Sequence, residues 1–317
     1  MLTKSNGVIM RTVFMGTPEM AVPTLKALVE NDIEVSLVIT QTDKPKGRGN
    51  QMQSPPVKEY ADTRGIEVIQ PKSLKNNEEV LEKLKSIAPD FIVVAAYGKI
   101  LPQAVLDVPK KAPVNVHFSL LPKYRGAAPV NWAVINGEDE TGVATMLMDA
   151  GLDTGDILLV EKTPIGKKDA MMIAEELSET GAKLLIKTLK EFDGITPVKQ
   201  NDADMTYAPM MKKEDGHIKW AEKTAKEIEC MIRGFVPWPA AYTFLDGKMF
   251  KLFAAEIVTI ENGIEPGTIF DVTKKSFCVK CAKDALMVTE LQPEGKKRMP
   301  AVSFLAGAKL AGGEKFE

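Results

Sequence analysis

An unbroken apolar run, Phe91-Ile-Val-Val-Ala-Ala96, constrains this chain more than any other stretch. It has no polar residue at alternate positions to face water. It therefore reads as a strand buried on both faces, as in a parallel sheet covered by helices. The segments around it supply that sheet. Thr12–Met15, Glu34–Thr40, Glu67–Ile69 and Val114–Phe118 are short and strand-like. Helical patterns lie between them. Thr17-Pro18 opens one that runs through Leu25, Leu28 and Val29, a short one follows near Val57–Arg64, and Asn77–Ala88 puts Val80, Leu81, Leu84 and Ile87 on one face. Strand–helix alternation of this kind predicts an α/β fold with a Rossmann-like, mostly parallel sheet.

Val143–Met148 and Ile157–Pro164 extend the sheet as a hairpin around Asp149-Ala-Gly-Leu-Asp-Thr-Gly-Asp156, whose glycines permit tight bends. The amphipathic stretch Ala170–Phe192 closes a first domain, 10–192. Residues 193–208, rich in Asp, Asn, Gly and Pro, read as a linker. From 209 to 317 the pattern changes. His217–Trp220 begins a strand and Thr224–Arg233 is helical. Ala241–Phe244, Lys248–Ala255, Gly267–Asp271, Ser276–Cys281 and Ala285–Leu291 are short strands with turn signals such as Asp246-Gly247 and Asn262-Gly263 between them. That predicts a small OB-like β-barrel.

A length of 317 residues with 44% hydrophobic content is enough for two packed domains. The net charge of −2 excludes a global basic field, so any RNA contact must come from local clusters. Two are visible: Lys44, Lys46 and Arg48 in the polar loop 41–56, and Lys296-Lys-Arg298. From Pro209 onward Lys and Arg outnumber Asp and Glu by two. Three cysteines fit a reducing cytoplasm. Cys278-Val-Lys-Cys281 lacks a second pair and reads as two strand positions, so no metal is expected. No apolar stretch reaches the ~18 residues that span a bilayer. The leading residues carry no signal-peptide core, and Met10 stands directly before the first strand, so residues 1–9 read as an extension or an alternative start. A cytoplasmic protein without a membrane partner is expected.

The chemistry is concentrated in Val114-Asn-Val-His-Phe-Ser-Leu-Leu-Pro-Lys-Tyr-Arg-Gly126. Strand side chains alternate in direction. Val114, Val116 and Phe118 then share one face, and Asn115, His117 and Ser119 the other. Asp153, at the tip of the hairpin loop, is placed to reach the imidazole. An amide can donate to a developing oxyanion, an imidazole can move protons, and a carboxylate can orient the imidazole. No cysteine or nucleophile-elbow serine accompanies them, which favours direct transfer to an external nucleophile over covalent catalysis. Gly16-Thr-Pro-Glu-Met-Ala21 has one glycine where a dinucleotide fingerprint needs three, and no Gly-x4-Gly-Lys loop exists. Dehydrogenase and nucleotide-hydrolase readings are thereby disfavoured.

Asn115-x-His117, Ser119-Leu-Leu-Pro122, Arg125-Gly126 and Gly151-Leu-Asp-Thr-Gly155 together resemble the 10-formyltetrahydrofolate-dependent formyltransferases. Further segments point to the branch acting on methionyl-tRNA: Val13-Phe-Met-Gly-Thr-Pro-Glu19, Asp43-Lys-Pro-Lys-Gly-Arg-Gly49, Ala95-Ala-Tyr-Gly-Lys-Ile-Leu-Pro102, Gly126-Ala-Ala-Pro-Val-Asn-Trp132 and Arg233-Gly-Phe-Val-Pro-Trp-Pro239. The resemblance spans nearly the whole chain from Met10. It implies formyl transfer from 10-formyltetrahydrofolate to the α-amino group of methionyl initiator tRNA. Asn115, His117 and Asp153 take the catalytic positions. Ser119, Leu120, Leu121 and Pro122 take the folate run, with Leu101 beside the pterin. Lys44, Lys46 and Arg48 approach the tRNA acceptor end, and the C-terminal domain helps hold the tRNA. A monomer is expected. Three alternatives stay open: a formyltransferase acting on a nucleotide sugar, a formyltetrahydrofolate hydrolase, and a silent RNA-binding protein.

Overall fold

The computed structural model describes residues 10–46, 51–261, 263–308 and 310–317. The chain divides into two compact units. The first comprises residues up to Ala127, Gly142–Thr163 and Ala174–Ala208; the second comprises Ala128–Thr141, Pro164–Ile173 and Pro209–Glu317.

The first unit is organised by a seven-stranded sheet. Its strands run in the order Ile157–Pro164, Glu140–Leu147, Ala112–His117, Phe91–Ala95, Arg11–Gly16, Glu34–Ile39 and Val68–Ile69. The five strands from Ala112–His117 to Val68–Ile69 are parallel neighbours, and Glu140–Leu147 joins antiparallel to Ala112–His117. The Phe91–Ala95 strand is buried along its whole length, as its apolar run requires. Strand order reverses between Arg11–Gly16 and Phe91–Ala95. In open sheets of this kind ligands bind outside the carboxyl ends at such a reversal.

The helix Glu78–Ile87 begins at Asn77, whose side chain accepts the Val80 N–H and satisfies one of the orphan amides of the first turn. It buries Val80 and Leu84 against Val13, Ile39, Ile92 and Tyr97. On the other side, the long helix Ala170–Glu191 carries Gly181 where the sheet comes close. A Cβ there would lie 2.9 Å from Val116 Cγ1 and 3.1 Å from Val143 Cγ2. Gly in a helix interior costs about 1 kcal/mol against Ala. Here it allows the helix to press on the Val face of Ala112–His117, leaving the polar face of that strand for chemistry.

The second unit holds an antiparallel half-barrel sheet in the order Ala241–Leu245, Lys248–Val258, Ala285–Pro293, Phe277–Lys280 and Ile269–Phe270, with Met299–Pro300 paired to Ala285–Pro293. Asp246 and Gly247 both have positive φ, at 50° and 72°, which suits the two-residue turn joining the first two strands. The helix Ala225–Gly234 starts with a reciprocal capping box between Thr224 and Glu227. It packs Ile228 and Ile232 into a core with Phe250, Phe277, Leu286 and Phe316. His217 makes a single bridge to Tyr242 where a strand was expected.

Two other expectations need amending. The stretch read as a polar loop contains a two-stranded ribbon, Lys44–Lys46 with Gln51–Gln53. The segment expected as a linker carries Tyr207–Ala208, which pairs in parallel with Arg125–Gly126. Cys278 and Cys281 are buried free thiols, and burial pushes Cys281 up to about 12. Among the described residues no helix is long and apolar enough to cross a membrane, and no group of three His, Cys, Asp or Glu is placed to hold a metal.

Candidate active site

Asn115 and His117 lie at alternate positions of Ala112–His117, so their side chains leave the sheet on one face. Each is enclosed, at 8% and 5% exposure. Both meet Asp153. Asn115 Nδ2 stands 3.5 Å from Asp153 Oδ1, and His117 Nδ1 stands 3.7 Å from Asp153 Oδ2. The carboxylate is fixed more firmly by the Gly126 N–H, which donates to Oδ2 at 2.9 Å.

The imidazole is held from its other side. Its Nε2 lies 3.0 Å from the Tyr124 carbonyl oxygen. A carbonyl only accepts, so Nε2 carries the hydrogen. Nδ1 is then the lone-pair nitrogen in the neutral ring, and it faces the carboxylate at a separation too long for a hydrogen bond. A proton arriving on Nδ1 would convert that approach into an ion pair. The tautomer is thus set by Tyr124, while Asp153 offers charge to the nitrogen left free.

The loop carrying Asp153 is tightly made. Asp149 Oδ1 accepts the Gly151 N–H at 2.9 Å and the Thr154 hydroxyl at 2.6 Å. Gly155 is required where it stands, since a Cβ would come within 1.9 Å of the Leu147 carbonyl. Asp153 itself has φ 54°, a left-handed conformation unusual for a residue with a side chain.

Ser119 does not join the other two polar groups. It lies past the strand's end, fully buried, and donates to the Lys123 carbonyl at 2.7 Å, which shapes the turn 119–123. Leu120 is half-buried and Leu121 buried, and the Leu121–Pro122 bond is cis. Leu121 packs with Ala144, Met146 and Ile157. Leu101 is buried in a core cluster with Tyr97, Val105 and Leu106. Tyr97 itself is desolvated, which pushes its phenol up to about 12, and its hydroxyl has no hydrogen-bond partner among the described residues.

Lys44 is exposed, with Nζ 2.9 Å from Gln41 Oε1. Lys46 lies on the ribbon, and Arg48 falls outside the described residues. The base of this ribbon is gathered by Asp43, which accepts from Gln70 Nε2 at 2.8 Å, Lys58 Nζ at 3.3 Å and Ser54 Oγ at 3.4 Å. The Gln70 bond above all, then Lys58, holds its carboxyl below the usual range.

Sequence reasoning missed Tyr124, Arg125 and Gln200 as parts of the site. Tyr124 acts through a backbone oxygen, which no side-chain pattern announces. Arg125 and Gln200 are joined by hydrogen bonds across 75 positions.

Residues 10–189 match the family model described as formyl transferase, and residues 210–309 match formyl transferase, C-terminal domain. A methionyl-tRNA formyltransferase of Citrifermentans bemidjiense is 51% identical over 307 residues, covering 96% of this chain and 95% of that protein. Another, from Caldanaerobacter subterraneus, is 50% identical over 307 residues, with 96% and 99% covered. The solved N-formyltransferase of Helicobacter canadensis, in complex with folinic acid and dTDP-3-aminofucose, superposes with a TM-score of 0.66 at 22% identity, over 90% of this chain and all of that one. HypX from Aquifex aeolicus, in complex with tetrahydrofolic acid, gives 0.62 at 18% identity; the match covers 94% of this chain but only 47% of HypX. At these identities the two structures speak for the fold.

Proposed function

This chain belongs to the formyl transferase family, and we propose that it transfers the formyl group of 10-formyltetrahydrofolate to the α-amino group of methionyl initiator tRNA, for translation initiation. One observation carries the mechanism: an amide and an imidazole, two residues apart on one strand, face a single fixed carboxylate.

The free amine attacks the formyl carbon. A C–N bond forms and the carbonyl oxygen becomes an oxyanion. Asn115 directs one Nδ2 hydrogen towards Asp153 and keeps the other for that oxyanion. His117 Nδ1 takes the amine proton, directly or through one water, and the imidazolium adds its charge to the oxyanion's stabilisation. Asp153 stabilises the imidazolium. As the tetrahedral intermediate collapses, the bond from carbon to N10 breaks and the proton passes to N10. The products are formylmethionyl-tRNA and tetrahydrofolate. Every step uses groups of this chain, the two substrates and at most one water.

In this reading Ser119, Leu120, Leu121, Pro122 and Leu101 shape the folate site through backbone groups and apolar contact. Lys44, Lys46 and Arg48 meet tRNA phosphates. Residues 10–192, with the 193–208 stretch paired onto them through Tyr207–Ala208, form the catalytic domain, and 209–317 a tRNA-holding domain. The protein works in the cytoplasm, as a monomer.

The test is to supply formyl-labelled 10-formyltetrahydrofolate with charged initiator tRNA, uncharged tRNA, or an amino-sugar nucleotide. Label on charged tRNA alone is the expected outcome. Label on the sugar nucleotide, or free formate released without an acceptor, would replace the reading with one of the alternatives.

A further inference from the structure

Gln200 lies in the stretch expected to be a linker, yet it is buried, at 7% exposure. Its amide has one possible orientation. Arg125 Nε and Nη2, which only donate, both reach Oε1, at 3.0 and 2.8 Å. Nε2 therefore points the other way, and it donates to the carbonyl oxygens of Asp153 at 2.9 Å and Gly155 at 2.7 Å. Arg125 is itself buried, and Nη2 also bonds Asp202 Oδ1 at 2.9 Å.

Two features make this arrangement more than packing. The backbone that Gln200 grips is the one that aims the carboxylate: Asp153 sits at φ 54°, in the left-handed region. The grip also starts from the segment that holds the rest of the site. The Tyr124 carbonyl takes the His117 ring, the Arg125 guanidinium takes Gln200, and the Gly126 N–H takes the Asp153 carboxylate. That segment is in turn tied to the chain just after Gln200. Arg125 N–H donates to the Thr206 carbonyl at 3.0 Å, Tyr124 N–H donates to the Thr206 hydroxyl at 2.9 Å, and Arg125–Gly126 pairs with Tyr207–Ala208.

We propose that Gln200 is a positioning residue: it fixes the 153–155 backbone so that the Asp153 carboxylate stays opposite His117 Nδ1, and residues 200–208 thereby belong to the catalytic apparatus. The inference rests on the catalytic role proposed above for Asp153.

The test uses the full-length chain. Gln200→Glu keeps the side-chain length and the pairing with Arg125, but replaces the donor by an oxygen facing two carbonyls. The expected result is a kcat lowered roughly 10- to 100-fold, with KM for folate donor and for tRNA within about twofold. In an Asp153→Asn background the same substitution should lower kcat no further, because both changes act on one carboxylate. Gln200→Met, similar in length but without a donor, gives the same reading if a buried carboxylate unfolds the chain. Equal further losses in both backgrounds, a raised KM with normal kcat, or wild-type kcat in Gln200→Met would overturn the proposal. If Asp153→Asn alone keeps wild-type kcat, the catalytic reading itself falls. If Asp153→Asn is slow but Gln200→Met is not, only the positioning role falls.

Discussion

Replacing Asp153 by Asn changes one charge and almost no volume. The carboxylate stands 3.7 Å from the nitrogen that becomes charged during reaction. At an effective dielectric constant of about 20, two unit charges at that distance attract by about 4 kcal/mol. The side chain is 15% exposed, so solvent removes part of this, and about 2 kcal/mol is a sensible floor. With about 1.4 kcal/mol to each factor of ten, the chemical step should slow roughly 30- to 1,000-fold. A second loss comes from geometry. The Asn carboxamide can keep the Gly126 bond only by putting its oxygen there, which turns its NH2 group towards the Asn115 amide nitrogen, itself a donor. The retained Gly126 bond should leave the fold intact. The assay is single-turnover formation of formylmethionyl-tRNA, with circular dichroism to match folded fractions. Slowed chemistry with unchanged KM for both substrates is expected. A rate within about threefold of wild type would refute an electrostatic role for Asp153.

Changing Lys44 and Arg48 to Gln should lower the slope of log tRNA affinity against log salt by about 0.7 to 0.9 for each phosphate no longer neutralised, with folate binding unaffected. An unchanged slope, read by filter binding, counts against Lys44 and Arg48 as tRNA contacts. Gly181→Val should push the helix Ala170–Glu191 off Val116 and Val143 at a cost of about 1–3 kcal/mol, visible as a lower Tm; an unaltered Tm would show that the helix and sheet can relax around the added bulk. Unfolded tyrosine ionises near pH 10, whereas buried Tyr97 holds its proton to about 12. Between those values only the unfolded state releases the proton, so stability falls as pH rises through that window. Tyr97→Phe should flatten this alkaline limb without loss of stability at pH 7, since the hydroxyl has no partner among the described residues. A chemical-denaturation series that keeps the same slope in the variant would contradict this.

The sheet was legible because its residues announce it. Phe91–Ala95 could only be a doubly covered strand, and the Asn115 and His117 alternation put both groups on one face, where they are found. The spacing of Val80, Leu81, Leu84 and Ile87 marked a helix in the same way. What escaped detection depends on partners distant in sequence or on backbone atoms. The two-residue pairing of Arg125–Gly126 with Tyr207–Ala208 is too short to leave a periodic pattern, and the polar composition around Gln200 resembles a linker until its partners are known. Pro45 and the surrounding lysines hid the Lys44–Lys46 ribbon, because they lack the β-branched residues that signal a strand. Ser119 fitted the alternation on paper, but the strand ends before it and its hydroxyl turns to Lys123. The second compact unit takes in 128–141 and 164–173, where Asn131 Nδ2 bonds the Gly234 carbonyl at 2.8 Å and Arg233 Nη1 bonds the Lys168 carbonyl at 2.8 Å.

The central claim is that Asn115 and His117 act on the reacting carbon rather than on binding. Asn115→Ala and His117→Ala should each retain folate and tRNA affinity and a folded circular-dichroism spectrum. Each should lose about 100-fold or more in single-turnover formyl transfer, the loss typical of removing one oxyanion donor, about 3–4 kcal/mol. Near-normal turnover in both variants, or a loss traced wholly to weaker substrate binding, would contradict it.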